Sequence, residues 1–462
     1  MSEEQPTAAQ PGAGRTTARQ PTAGPLDGGP RRFLPATAGL NGTIRVPGDK
    51  SVSHRAALFG AVNDGPLRVS GFLRSADTLA TLAAIRALGI HVDDDGHELL
   101  IHGAGWQGLR EPADIIDVRN SGTLIRLLPG LVASLPFLCI LTGDASIRRR
   151  PMARVLRPLQ AMGATVAGRE NDSLPPVAIR GGALRGMRHE LTVASAQVKS
   201  CIMLAGLRAD AVTEIVEPAA SRDHTERIIR YAGGRVEREG TGGRGTVRVW
   251  PLERLHMDAL VVPGDFSSAA FFIVAALLVS GSRVTVENAG LNPSRTGLLA
   301  VLSRMGAAID VETLPAAGPE PVGRITAGTS DLVATDVGAD EVPNVIDELP
   351  LFLLAAAKAE GISRLRGAAE LRAKESDRLQ AMGALLRALG VEVDEHPDGM
   401  DVHGRPAGWR GGTITTEADH RIAMAGAIAG AASSGGTSID DVDCIGVSYP
   451  DFVRDLEALG GR

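Results

Sequence analysis

The sequence predicts an α/β chain of two equivalent halves, on the strength of one long repeat, one shorter repeat and a recurring glycine. Val46-Pro47-Gly48-Asp49-Lys50-Ser51 returns as Val262-Pro263-Gly264-Asp265-Phe266-Ser267, and each copy leads into a helix-like run. Within the halves, a helical stretch ends on a glycine and passes into Val/Ile alternation at Gly89, Gly163, Gly233, Gly306 and Gly390, with a frayed copy at Gly460. A glycine between a helix and a period-2 segment is a C-cap feeding a strand, so six helix–strand units, three per half, are expected.

Each unit also carries a second, more apolar helix. These begin near Ser51, Ser121, Gln197, Ser267, Asp347 and Arg421 and run on as sequences such as LFLLAAAKA and IAMAGAIAGAA. Helices that are apolar nearly all round belong under the strands and the amphipathic set. Ser, Asp and Asn at their starts satisfy orphan N–H groups. Lys50, Arg55, Arg126 and Arg421 do not, because a cation opposes the positive end of the helix dipole. An anion held between cation and helix end reconciles the two, and pseudo-symmetry would aim several such ends at one site between the halves.

Composition narrows the class. The 462 residues suit two to three domains, with 44% hydrophobic and 22% charged residues as in ordinary globular proteins. Only 3% are aromatic, so the core must be aliphatic. Cys139, Cys201 and Cys444 have neither disulfide nor metal-ligand spacing, which argues for a reducing, cytoplasmic setting. The longest apolar run, Ala269 to Val279, is too short to cross a bilayer, so no membrane partner is expected. A net charge of −6 gives no reason to expect nucleic acid. Residues 1–30, rich in Pro, Gly, Ala and Thr, read as a disordered tail.

Several segments carry chemistry. VPGDKSVSHRAAL brings Lys50, Ser51 and Arg55 within one helical turn, and it is not a phosphate loop of the GxxxxGK[ST] kind. NSGTLIRLL opens a helix on Gly122, where backbone can approach a ligand closely, with Arg126 one turn on. In TGDASIRRRPM the residue before Pro151 is held extended, which fixes Arg150 in a loop. In LRAKESDRL, Lys374 and Arg378 share a helix face and Glu375 is placed to pair with Arg378. Asp347 and Glu348 enter a strongly apolar helix, which favours raised pKa values and acid/base duty. EADHRIAMAG puts His420 and Arg421 at a buried helix start.

Taken together, PGDKSxSHR, NSGTLIRL, GDASIRRRPM, ASAQVKS, RDHTE, KESDRL and DHRIAM resemble the EPSP synthase (3-phosphoshikimate 1-carboxyvinyltransferase) family, in family order from about residue 33 onward. ASAQVKS with RDHTE is similar to the second bacterial class. The resemblance implies an α/β (α+β) fold, a two-domain inside-out α/β barrel with three βαβαββ repeats per domain. One domain would span 48–262, the shikimate 3-phosphate side. The other would combine 31–47 with 263–462, the acid/base and phosphoenolpyruvate side.

The implied reaction moves the enolpyruvyl group of phosphoenolpyruvate to the 5-hydroxyl of shikimate 3-phosphate, in chorismate and aromatic amino acid biosynthesis. The implied enzyme is a monomer without metal or organic cofactor. By position, Lys50, Ser51, Arg55, Ser195, Ala196, Gln197, Arg222, Asp347 and Lys374 would hold shikimate 3-phosphate. Lys50, Gly122, Arg150, Gln197, Arg378 and Arg421 would hold phosphoenolpyruvate, while Asp347 and Glu375 move protons with Lys374 assisting.

Where the common form has a lysine in its C-terminal CxxKTFPD segment, this chain has Val447, as the second class also lacks that cation. Gly122 points toward sensitivity to glyphosate, a phosphoenolpyruvate mimic in this family, and the class-like motifs point away from it. Two rival readings remain. A UDP-N-acetylglucosamine enolpyruvyl transferase would carry a reactive cysteine in the loop before its Arg-Pro, and Gly143 to Pro151 has none. A non-catalytic phosphometabolite binder would have lost the acid/base groups, and Asp347, Glu375 and Lys374 are present.

Overall fold

Left-handed backbone is open to glycine without steric cost, and all six glycines expected to close helices adopt it, with φ between +82° and +117°. Each follows an outer helix: Ala76–Ala87, Ala153–Met162, His224–Tyr231, Gly297–Arg304, Arg378–Ala388 and Phe452–Ala458. The computed structural model describes residues 29–240 and 244–462, so residues 1–28 of the expected tail lie outside the described residues.

The six apolar helices are Lys50–Ala61, Leu124–Val132, Ala196–Gly206, Phe266–Leu278, Leu349–Lys358 and His420–Ala432, starting close to the expected residues. They are the inner helices. Phe266–Leu278 is buried at every position, as its composition requires. The side chains fall into two hydrophobic clusters. One is built from Val52 to Val262. The other joins Phe33 to Val46 with Phe266 to Leu459.

Inner helices connect parallel strands, the connection a parallel pair demands. Ile116–Asp117 pairs this way with Leu138–Thr142, Arg188–Glu190 with Thr213–Glu217, and Asp336–Val337 with Ile362–Leu365. An outer helix and two antiparallel strands complete each of the first five units, which gives βαβαββ. Among the described residues, five open sheets have four strands and one has three, and none is closed into a barrel. The helices lie inside and the sheets cover them, an inside-out arrangement.

Two units have exchanged their first strands. Asn41–Arg45 precedes the first inner helix yet pairs with Arg283–Gly290, and Ala259–Val261 precedes the fourth yet pairs with Asp64–Ser70. The sixth unit ends with the chain and takes Arg31–Phe33 against Thr437–Ile439 instead.

Where the exchanged segments cross, the two Val-Pro-Gly-Asp copies bond each other. Asp49 N–H donates to the Pro263 carbonyl at 2.7 Å and Asp265 N–H to the Pro47 carbonyl at 2.8 Å. Gly48 and Gly264 bridge between these bonds. The crossing leaves no room for a side chain, since a Cβ on Gly48 would lie 1.8 Å from the Gly71 carbonyl oxygen. Gly48→Ala is therefore expected to destabilise the fold by roughly 1–3 kcal/mol through overpacking. Urea midpoints should show the loss, while Gly182→Ala, whose added Cβ would meet its nearest atom at 4.0 Å, should leave the midpoint unchanged.

Candidate active site

Capping fixes where the inner helices begin and what stands at their mouths. Asp49 accepts from Val52 N–H at 2.9 Å, Asp265 from Ser267 N–H at 2.8 Å and Asp419 from Arg421 N–H at 2.9 Å. Ser195 accepts from Val198 N–H at 3.4 Å. Caps of this kind set the helix start to the residue, and so bring Lys50, Ala196, Gln197 and Arg421 to the ends of their helices.

Asp347 is the focus of the cluster. Its Oδ2 accepts from Arg222 at 2.5 Å and lies 3.7 Å from Arg295. Its Oδ1 lies 3.6 Å from Lys374 and 3.7 Å from Arg378, and Arg421 donates to its carbonyl at 2.8 Å. Glu375 accepts from Arg378 at 2.6 Å and lies 3.5 Å from Arg150. Arg222 and Arg150 precede the second crossing while Asp347 and Glu375 follow it, so these ion pairs join the halves.

The electrostatics differ from the expectation for Asp347. Burial favours its neutral acid, but Arg222, Lys374, Arg421 and Arg378 outweigh burial and hold the carboxyl well below its ordinary value. Glu375 behaves alike: Arg378, His420, Arg150 and Lys50 overcome burial and hold it low. Only Glu348, fully buried behind Asp347, is raised as its apolar helix suggests, by burial first and then by Asp347, against the pull of Arg295.

Other expected residues take less direct places. The Lys50 ammonium stands 3.1 Å from Asp77 in the first turn of the neighbouring outer helix. Arg55 is turned inward, giving Nε to Thr225 at 2.7 Å, one terminal nitrogen to Ser200 at 2.8 Å and the other to the Ser51 carbonyl at 2.9 Å. Gln197 donates to Thr123 at 3.0 Å and accepts from Arg126 at 2.5 Å. Burial, with Arg154 and Arg150, lowers Arg126 to about 10. Gly122 lies against Arg150, whose guanidinium nitrogen would be 2.5 Å from a Cβ there.

Lys374 and Arg378 do not share a helix face. Lys374 is extended beyond the short helix Ala369–Ala373, and the outer helix begins only at Arg378, capped by Asp377. The two cations meet at Asp347 from different segments. The helix after Asn120 likewise starts later, at Leu124, with a turn carrying Gly122.

Arg295 escaped the sequence reading. It is 4% exposed and lies 3.0 Å from Asp265, 3.7 Å from Asp49 and 2.8 Å from the Ser267 hydroxyl, which in turn donates to Glu348. Burial pulls its pKa down, yet Asp49, Asp265, Glu348 and Asp347 together raise it above the ordinary range. The two aspartates were visible in the repeat as helix caps, but nothing in NPSRTGLL marks its arginine as their common partner.

Residues 35–456 match the EPSP synthase (3-phosphoshikimate 1-carboxyvinyltransferase) family, and the chain belongs to that family. A protein of Bacillus thuringiensis subsp. konkukian named 3-phosphoshikimate 1-carboxyvinyltransferase is 45% identical over 93% of this chain and 99% of its own. One of the same name from Bacillus cereus strain ATCC 10987 is equally similar, at 45% over the same shares. The solved EPSP synthase of Acinetobacter baumannii superposes with a TM-score of 0.85 at 41% identity, over 94% of this chain and 98% of that one. The enolpyruvyl transferase NikO of Streptomyces tendae shares the fold, with a TM-score of 0.74 at 20% identity over 94% of this chain and 98% of its own.

Arg295→Met strands buried carboxylates without their cation and is expected to cost about 3–5 kcal/mol, read as a lowered denaturation midpoint. A pH effect follows from His420. Burial first, then Lys50, Arg421 and Arg378, push its imidazole down to about 3. The unfolded chain takes up that proton near pH 6.5 while the folded chain refuses it. The stability concerned is present above about pH 6.5 and declines as pH falls toward about 3, by up to ~1.4 kcal/mol per unit. His420→Asn should flatten the slope of denaturation midpoints measured from about pH 7 down to pH 5.

Proposed function

We propose that this chain transfers the enolpyruvyl group of phosphoenolpyruvate to the 5-hydroxyl of shikimate 3-phosphate, giving 5-enolpyruvylshikimate 3-phosphate and phosphate. The observation that carries the reading is the Asp347 carboxylate, held ionised among Arg222, Lys374, Arg378 and Arg421 at the junction of the halves. Family membership supplies the reaction, and with it a place in aromatic amino acid biosynthesis.

The chemistry needs two anions side by side and a proton shuttle. The substrate hydroxyl adds to C2 of phosphoenolpyruvate and gives up its proton, while C3 receives one. The tetrahedral adduct then expels phosphate as C3 returns a proton. In this reading Lys50, Ser51, Arg55, Ser195, Ala196, Gln197 and Arg222 frame shikimate 3-phosphate. Lys50, Gly122, Arg150, Gln197, Arg378 and Arg421 frame phosphoenolpyruvate. Fixed cations serve both substrates because they need no reorganisation as charge develops.

Asp347 is the base for the hydroxyl, and Glu375 serves the proton at C3 with Lys374 assisting. Their low pKa values keep both carboxyls ionised in the free protein. Each arriving anion neutralises cations that now depress the carboxyls, so substrate binding raises their proton affinity toward the working range. The two domains of this reading are 48–262 and 31–47 plus 263–462, matching the two hydrophobic clusters.

A sugar-nucleotide specificity is disfavoured by Cys139. It lies on the strand Leu138–Thr142 with no exposure, and burial pushes its thiol up to about 12, far from a reactive thiolate. All three cysteines are free and buried, which supports a reducing, cytoplasmic setting. Among the described residues, the exposed large apolar side chains are spread along the chain from Leu34 to Ile362, which supports a monomer. No described helix is long and apolar enough to cross a membrane.

Phosphate release from phosphoenolpyruvate should require shikimate 3-phosphate and be absent with UDP-N-acetylglucosamine. Turnover with the sugar nucleotide alone, or with neither, would overturn the reading. Asp347→Ala and Lys50→Ala should each lose at least about 100-fold in kcat, the scale of a lost acid/base or electrostatic group, with the circular dichroism unchanged. Near-normal rates in either would remove its assigned role.

A further inference from the structure

The edge of the first sheet carries chemistry that the catalytic cluster does not use. There the strands Val92–Asp94 and Glu98–Ala104 form an antiparallel hairpin, with Val92–Asp94 as the outermost strand of its sheet. The segment HVDDDGHELLIH holds His91, His97 and His102, three of the chain's ten histidines.

Strand alternation sorts these residues by face. Val92 and Ile101 are cross-strand partners turned into the core. Asp93 and His91, two residues apart, point the other way, and His102 stands beside His91, to whose carbonyl its N–H donates at 2.9 Å. One outward patch therefore receives two ligands from the edge strand and its approach and one from the neighbour.

The side chains converge. His91 Nε2 lies 2.8 Å from Asp93 Oδ1, and His102 Nε2 lies 2.8 Å from Asp93 Oδ2. The two rings are 5.0 Å apart at their centroids. One ligand atom from each residue falls within 4.8 Å of the other two. A tetrahedral ion at bond lengths of about 2.0–2.2 Å spaces its ligand atoms roughly 3.3–3.6 Å apart, so the side chains need to shift by about an ångström, which exposed groups can do.

We propose that His91, Asp93 and His102 form a surface site for a divalent transition-metal ion of the zinc class, with water in the remaining position. Two imidazole nitrogens and one carboxylate oxygen favour such ions over Mg²⁺ or Ca²⁺, which take oxygen ligands. Ligands from both strands make the ion a clasp that ties the edge strand to its neighbour. The site lies outside the catalytic cluster, so the inference stands apart from the proposed reaction.

The test is titration calorimetry of the full chain with Zn²⁺ after chelator treatment at neutral pH. One equivalent should bind, with affinity falling at least tenfold in His91→Ala and in His102→Ala and unchanged in His97→Ala. Zn²⁺ should also raise the melting temperature of the parent but not of the double variant His91→Ala/His102→Ala, and enolpyruvyl transfer should be equal in both. Unchanged Zn²⁺ affinity in either single variant, or Mg²⁺ binding as tight as Zn²⁺, would overturn the assignment.

Discussion

The reciprocal bonding of the two Val-Pro-Gly-Asp segments is the constraint on which the rest of the molecule rests. Each aspartate does two things at once: its N–H is tied to the other copy, and its carboxylate caps the inner helix of its own half. The helix starts at Lys50 and Phe266 are thereby fixed against each other. Arg295, buried between the two caps, faces Asp265 of its own half at 3.0 Å and Asp49 of the other at 3.7 Å. Such a buried ionic knot contributes little net stability compared with apolar packing. Its effect is geometric, since only one mutual placement of the halves satisfies all its partners.

The charged cluster around Asp347 is built on that placement. Arg222 and Arg150 reach across to Asp347 and Glu375, so acids of one half and cations of the other neutralise each other before any substrate arrives. An anion entering the cluster competes with these carboxylates for the same guanidinium groups. In the proposed reaction the acids gain proton affinity as the cations are engaged, which would couple binding to proton transfer through shared partners. Glu348 stands behind this exchange, bonded to Ser267, with burial holding its carboxyl above the ordinary value against the pull of Arg295.

Much of the architecture was legible because it repeats. The six helix-closing glycines, from Gly89 to Gly460, all take positive φ, since one local rule governs each of them. The inner helices begin near the expected residues because apolarity and capping are also local. The site was legible in its residues and less so in its electrostatics. Asp347 enters an apolar helix, and that alone would raise its pKa, but four cations from distant segments reverse the sign. Lys374 and Arg378 sit four apart in a charged stretch, yet Asp377 caps the helix at Arg378 and leaves Lys374 outside it. Arg295 gave no signal, because its importance comes from two caps brought together only by the crossing.

The exchanged strands also bear on the order in which the chain can be built. Asn41–Arg45 leaves the ribosome before any of the inner helices, but its neighbour in the sheet is Arg283–Gly290. The units from Val52 to Val262 can close their core while the early strand still waits for a partner made much later. Arg31–Phe33 waits longer still, for Thr437–Ile439 of the sixth unit. A chain cut before Arg283 would therefore leave both β segments unpaired, and one cut between Gly290 and Thr437 would still leave Arg31–Phe33 without its neighbour.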